Sequence, residues 1–585
     1  MQPVQTNDDE MTCAPVPVHR LKQPSRWRVV PLGVWLVLTA LVVFLQWRAG
    51  AFSAEFSTYP DEAAHYLSGV LVHDYVSQGF SGSPIRFAEN FYFHYPYIGI
   101  GHWPPGFYLV EGLWMLVFST SRVSVLLLMA VITSTLAVGL FRALREEFGW
   151  RSSVIAAGVL VCVPLVQRYT SSVMLETLVA LFSFWAIQSL GQYVDSGRWQ
   201  DSVKFAVFSS MAILTKGNGF ALAMAPPLAV LLSRRFHLLK RWGFWVPALI
   251  VGPLCAPWNL FTLHLVTPTW SDHPSLTYAL RAVTFYGRSL VETLGVVLIG
   301  LAFVGIAVRI VKPLSAGQVP GKWAAAAAFL LGTYIFLSVA SAGIEVRFLV
   351  PAIAPAIMLA VPGARHIAGR FPIRFLPGGL AQDLLLLLVA LLFSGNIITV
   401  PAKASFGFKT AVDQLAQMPQ FQNSVVLVSS GDRIGEGIFI AEVAMRDRSG
   451  GQVVLRADKV LADSNWLGTD TRPLYSGPSQ IMPCLEAVPV DFIVLDNLQG
   501  DAHFEHHRQL LELVTKHPEW WRLLGVANAS TVTGRQLSSV YIYGAVNPGA
   551  RSQPGQSPSG ILTSLGRRPL EWPISVRLVC PAQTP

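Results

Sequence analysis

Ser57-Thr58-Tyr59-Pro60-Asp61-Glu62-Ala63-Ala64-His65-Tyr66 lies a few residues beyond the first long apolar run, which extends from about Val29 to Trp47. A run of that length is enough to cross the hydrocarbon core of a bilayer, so the adjacent carboxylates stand just outside a membrane. With Tyr and His beside them, Asp61 and Glu62 can supply a general base and a cation ligand in one place. The same pair also suits the first turn of a helix starting at Pro60, where proline is pre-organised and acidic side chains meet the positive end of the helix dipole. Interfacial chemistry is one reading of the stretch, and helix initiation is the other.

Composition supports the membrane setting. The 585 residues are 52% hydrophobic and 13% charged, with a mean hydropathy of +0.46, which is far too apolar for a soluble protein of this length. The formal net charge of +9 does not imply nucleic acid, because in a polytopic protein the division of Lys and Arg between loops matters more than their sum. Cys13, Cys162, Cys255, Cys484 and Cys580 show no CxxC spacing, which argues against a metal knuckle or a dense disulfide framework. Cys484 and Cys580 can pair if both lie outside the membrane on one side. Residues 1–28 are polar, with Arg20, Lys22, Arg26 and Arg28 ahead of the apolar run, so they read as a cytoplasmic tail before a start-anchor span rather than a cleaved signal.

Further apolar runs fall near 123–141, 153–168, 175–193, 203–214, 219–233, 243–262, 290–311, 323–342, 348–362 and 383–399. Measured against about 20 residues per crossing, they predict about eleven spans, give or take two. The run 104–119 begins Pro104-Pro105 and carries Glu111. Were it to cross, the basic loops 142–151, 233–241 and 363–376 would lie outside, against the positive-inside rule, so it is read as a re-entrant or interfacial helix. The outer face then gathers the loop 48–103, Glu176, the Thr215-Lys216-Gly217-Asn218 turn, the loop 263–289 and Gly343–Arg347. Each charge has a plain alternative: Lys216 and Arg347 can snorkel to headgroups, and Glu176 can pair with Arg168.

Beyond about Pro401 the pattern changes. Strands are expected at Ser424–Ser429, Gln452–Leu455, Asp491–Leu495 and Ser538–Tyr543, alternating with helical stretches near 409–418, 435–446 and 503–524. This reads as an α/β domain over 401–548, placed outside the cytoplasm by an odd number of spans. Residues 549–585 are rich in Pro, Gly, Ser and Gln and read as a flexible tail.

Five short motifs in order carry a resemblance: Tyr59-Pro60-Asp61-Glu62-Ala63, His102-Trp103-Pro104-Pro105-Gly106-Phe107-Tyr108, Leu175-Glu176-Thr177-Leu178, Leu214-Thr215-Lys216-Gly217 and Arg347-Phe348-Leu349-Val350-Pro351. Over about residues 29 to 400 the chain resembles the polytopic C-type glycosyltransferases that use polyprenyl-phosphate sugars, especially the protein O-mannosyltransferases and the aminoarabinose lipid A transferases. The resemblance implies a membrane all-α bundle of about 11–13 transmembrane helices over 29–400, with a catalytic outer loop 48–103 and the α/β domain attached. It implies Asp61 as general base with Glu62 as helper, and Lys216, Arg347 and His102 as the groups that hold the donor phosphate. A divalent cation at Asp61 and Glu176 is the one cofactor it suggests, though two carboxylates with no clear third ligand make a weak site. Glu176 departs from the family's usual Asp. The implied partners are a polyprenyl-phosphate-linked sugar, membrane lipids and an acceptor hydroxyl on a protein, glycolipid or cell-wall glycan, in the inner or plasma membrane. A lipid-linked-sugar flippase without transfer chemistry is the alternative, but neither related halves nor a clear pair of interrupted spans supports it.

Overall fold

The computed structural model describes residues 26–266, 273–315, 319–341, 343–370, 378–398, 403–432, 434–447, 451–464, 471–488, 490–497, 504–530 and 536–546. The expected tail 549–585 and residues 1–25 of the expected tail 1–28 lie outside these residues, while 26–28 belong to the first helix. The chain opens with α1 (Arg26–Arg48), α2 (Pro60–Ser77), α3 (Pro84–His94) and α4 (Gly106–Val117). Then come α5 (Arg122–Cys162), α6 (Pro164–Thr170), α7 (Glu176–Ser196) and α8 (Trp199–Ile213). A 3₁₀ stretch (Gly217–Met224) leads into α9 (Ala225–Ser233), α10 (Trp242–Val266), α11 (Leu276–Ile306), α12 (Lys312–Ser315) and α13 (Gly321–Val339). After a 3₁₀ turn (Val346–Leu349), α14 (Val350–Arg370) and α15 (Gly378–Ile398) complete the helical bundle.

Among the described residues seven helices are long and apolar enough to cross a membrane, and Gly106–Val117, Gly217–Ser233 and Gly379–Leu392 are shorter apolar helices. The protein is a multi-pass membrane protein. One of the seven, α5, breaks at Gly149 (φ 79°, ψ 170°), so the expected runs at 123–141 and 153–168 become two segments joined at a left-handed glycine. At 12 residues α4 is about 18 Å long, well short of the ~30 Å hydrocarbon core, as an interfacial helix would be.

Burial sorts the bundle into centre and rim. In the apolar 18-residue stretches of Glu176–Ser196 and Val346–Arg370, 83% and 89% of residues are buried, against 17% in that of Trp242–His264, which exposes Trp245, Leu249 and Leu260. An apolar face turned outward in this way is suited to lipid rather than water. Where α11 and α14 cross, a Cβ at Gly305 would overlap the Leu359 carbonyl, and one at Gly363 would overlap the Leu301 carbonyl. Glycine at both positions lets the backbones touch, which is how membrane helices gain packing without a hydrophobic drive between them.

The C-terminal region begins with α16 (Phe408–Leu415), β1 (Val425–Ser429), α17 (Gly435–Arg446) and β2 (Val453–Arg456). It continues through α18 (Ala457–Val460), the short pair β3 (Ala462–Asp463) and β4 (Arg472–Pro473), α19 (Pro478–Ala487), β5 (Phe492–Asp496), α20 (Glu505–Lys516), β6 (Trp521–Ser530) and β7 (Gln536–Ala545). The main sheet runs β2-β1-β5-β7-β6, with β1 parallel to β2 and β5 and with β7 antiparallel to β5 and β6. Alternation along β1 divides two cores: Val425 and Leu427 pack with Leu485, Leu510 and Leu513, while Val426 and Val428 join the core that contains Phe439 and continues into the membrane bundle. The helix expected over 503–524 stops at Lys516, and Trp521 to Ser530 form β6 instead. Pro518 disfavours helix at His517, and Trp520-Trp521, within the expected helical stretch, fit a strand as well. Cys484 is disulfide-bonded, and Cys580, its expected partner, lies outside the described residues.

Candidate active site

Of the two sequence readings of Pro60-Asp61-Glu62, helix initiation holds for both carboxylates, whose side chains then part company. α2 starts at Pro60 with Asp61 and Glu62 in its first turn, and successive helical residues point about 100° apart. Glu62 turns into the protein, fully buried. Its Oε2 accepts the Thr58 N–H at 2.9 Å, and its Oε1 accepts the Val173 N–H at 3.1 Å and lies 2.5 Å from Lys403 Nζ. Asp61 turns the other way, and its Oδ2 lies 2.6 Å from Arg347 Nη1.

Arg347 is the hub of the cluster. It sits in the 3₁₀ turn ahead of α14 and also reaches Glu345 at 2.6 Å and Glu176 Oε1 at 3.7 Å. Glu176, the first residue of α7 and fully buried, places the same Oε1 2.5 Å from Lys216 Nζ. Aromatic faces surround these cations: the guanidinium lies 5.3 Å from the Tyr59 ring centroid, and Lys216 Nζ lies 5.3 Å from that of Phe348. Excluding water on this scale strengthens each charge interaction.

Every member of the cluster sits at the end of an element: Asp61 and Glu176 at helix starts, Lys216 just before a 3₁₀ stretch, Arg347 within a short turn. Backbone close approach fixes the register between them. The Gly106 N–H donates to Leu214 O at 2.7 Å, and a Cβ at Gly106 would meet that oxygen at 2.7 Å, so the start of α4 is seated against the turn that carries Lys216.

The structure thus brings Asp61, Glu176, Lys216 and Arg347 together. Glu62 is not beside Asp61's carboxylate; its acceptors are taken by Lys403 and two backbone amides, so it braces the loop instead of helping a base. His102 stands edge-on to Trp103, with ring centroids 4.7 Å apart. Burial drives its pKa down to about 4 despite the nearby Asp61 carboxylate, so near neutral pH it can offer a hydrogen bond but no charge to a phosphate.

For a divalent cation the residues fit poorly. Among the described residues no group of three or more His, Cys, Asp or Glu gathers as a metal site, and Asp61 and Glu176 already share Arg347 between them.

His65, named in the sequence beside the carboxylates but given no site role there, lies one helical turn after Asp61 on α2, fully buried, with its Nδ1 3.0 Å from the Tyr108 hydroxyl. The i, i+4 spacing from Asp61 was the available signal. Lys403, which neutralises Glu62, lies 341 positions away from it, and no local pattern announces that pairing.

Comparison with known proteins bears on the fold. A family model described as dolichyl-phosphate-mannose-protein mannosyltransferase matches residues 102–261. No curated protein matches the sequence directly. The crystal structure of ArnT from Cupriavidus metallidurans bound to undecaprenyl phosphate aligns with a TM-score of 0.53 at 13% identity, covering 89% of this chain and 99% of that one. The archaeal oligosaccharyltransferase AglB from Archaeoglobus fulgidus, in complex with an inhibitory peptide and a dolichol-phosphate, aligns with a TM-score of 0.53 at 12% identity, covering 91% of this chain and 76% of that one. At such identities the likeness is one of fold.

Proposed function

For this chain with the C-type glycosyltransferase fold, we propose the transfer of a sugar from a polyprenyl-phosphate donor to an acceptor hydroxyl on the extracytoplasmic face. The supporting observation is the pairing of Arg347 with Asp61 at 2.6 Å while Lys216 holds Glu176 at 2.5 Å. Two cations and two carboxylates in a water-poor setting match the charges of a reaction in which a phosphate leaves and a hydroxyl loses its proton.

The donor phosphate competes for Arg347 and Lys216, and its arrival frees Asp61 Oδ2 from the guanidinium. Asp61 then takes the proton of the acceptor hydroxyl as that oxygen bonds to the anomeric carbon. The bond from that carbon to the phosphate oxygen breaks on the opposite face, and polyprenyl phosphate departs as an anion held by the two cations. A single displacement of this kind inverts the anomeric centre. His102 contributes a neutral hydrogen bond. The C-terminal domain packs on the same end of the bundle, through Lys403 to Glu62 and through Tyr97 against α17, where it can present the acceptor.

The test supplies membranes carrying the purified protein with radiolabelled polyprenyl-phosphate sugars and follows label leaving the lipid fraction. Wild-type protein is expected to release label from at least one donor, whereas Asp61→Asn binds that donor and releases none. Equal release with Asp61→Asn removes Asp61 as the base, and label that stays in the lipid fraction with every donor overturns the transfer reading in favour of a flippase.

A further inference from the structure

The charge pairs of the site leave two buried polar atoms unused. Glu176 Oε2 has no hydrogen-bond partner, its other oxygen being taken by Lys216, and His65 Nε2 has none either. His65 lies one helical turn from Asp61 on α2, and Arg347, the partner of Asp61, also approaches Glu176 at 3.7 Å, so both atoms border one cluster. Burial keeps the imidazole neutral, well below its ordinary pKa. When the Tyr108 hydroxyl donates to Nδ1 across their 3.0 Å contact, the imidazole proton sits on Nε2 and makes it a donor. A buried acceptor and a buried donor therefore remain open beside two cations.

An apolar wall completes the setting. The Trp103 ring stands edge-on to His65 at 4.7 Å between centroids, and Phe107 lies at 6.2 Å. A phosphate alone asks for cations and donors; it has no use for a carboxylate oxygen. A pyranose or furanose ring presents hydroxyls that donate and accept at once, and C–H faces that pack on aromatic rings.

We propose that His65 and Glu176 recognise the sugar of the donor, with Glu176 Oε2 accepting from a ring hydroxyl and His65 Nε2 donating to one, while Arg347 and Lys216 hold the phosphate. This rests on the transferase reading above and assigns the sugar subsite within it. His65 acts in specificity, and Tyr108 is a positioning residue that sets its tautomer.

Isosteric variants separate the roles. Asn at position 65 keeps a polar atom near Nδ1 for Tyr108 but removes Nε2; Gln places an amide nitrogen near Nε2 and gives up the Tyr108 contact. Full-length protein in nanodiscs is titrated with undecaprenyl phosphate and with undecaprenyl-phosphate-linked mannose, glucose and arabinose. His65→Asn is expected to bind undecaprenyl phosphate as wild type does and to lose about ten-fold or more in affinity for the preferred sugar lipid, with His65→Gln recovering most of the loss. The proposal is overturned if His65→Asn weakens both kinds of lipid alike or neither, or if Asn restores sugar binding better than Gln. Wild-type protein that binds none of the four lipids overturns the transferase reading itself.

Discussion

Arg347 does what a lysine in its place could not. Its planar guanidinium meets Asp61 and Glu345 at 2.6 Å each and approaches Glu176 at 3.7 Å, three carboxylates around one fork of donors. Arg347→Lys keeps the charge but serves one partner at a time, and charge-assisted hydrogen bonds of this kind are worth about 1.5–3 kcal/mol each. Transfer by that variant is expected to fall by about ten- to a hundred-fold in kcat/KM, read from initial rates with the preferred donor; undiminished transfer removes Arg347 from the site. Glu62 makes the contrasting case. Its carboxylate and Lys403 are a buried pair, both side chains almost wholly shielded. Removing one partner of such a pair typically costs about 3–5 kcal/mol because the other charge is stranded. Glu62→Ala is expected to lower the thermal unfolding temperature clearly, and Glu62→Ala with Lys403→Met to recover part of it. A double variant no better than the single one shows that the pair is not what stabilises this corner.

Among the elements, the legible part was the set of helix ends. Asp61, Glu176, Lys216 and Arg347 each sit in a short motif beside an apolar run, and the order of those runs was enough to place all four at one end of the bundle. The illegible part was what the ends do to each other, since a sequence window shows neither which way a first-turn side chain rotates nor a partner 341 positions away. Glu62 looked like Asp61's helper for that reason. β6 was missed because Trp520-Trp521 follows an amphipathic helix, and two large aromatics suit either element. The start of α16 shows another long-range bond of this kind. Buried Glu55 accepts the N–H groups of Phe406 and Lys409, each at 2.7 Å. Burial pushes its carboxyl up to about 7, although the Lys409 amide acts in the opposite direction. A folded-state value above the ordinary 4.5 means that the folded protein holds the extra proton, so this contribution to stability is complete below about pH 4.5 and is lost as pH rises through about 7. At about 1.4 kcal/mol per unit the change is at most roughly 3 kcal/mol. Thermal unfolding followed from pH 5 to pH 8 should show wild-type stability declining and Glu55→Gln declining less; parallel curves exclude Glu55 as the cause.

As a whole, the molecule is less divisible than its composition implies. The sequence changes character near residue 401, yet one core runs from the membrane helices through Phe408 and Val412 to Phe439 and the β1 face of Val426 and Val428. Arg456 of β2 lies 4.7 Å from the centroid of the Tyr97 ring in the segment between α3 and α4, and a Cβ at Gly437 would collide with that ring. Cutting the chain after residue 402 exposes these apolar faces and strands Glu62. The truncated protein is expected to aggregate on size-exclusion chromatography in detergent where the full chain elutes as a single species; a well-behaved, donor-binding truncation contradicts this shared core.

The bond between Glu62 and Lys403 also sets a timetable. Glu62 emerges from the ribosome 341 residues before the ammonium that neutralises it, an interval of roughly 20–70 s at about 5–20 residues per second. Through that interval the first loop cannot close around Glu62 without enclosing a lone negative charge, so it stays open while the later helices insert. Closure of this loop is thereby expected only after translation has passed the last helix of the bundle.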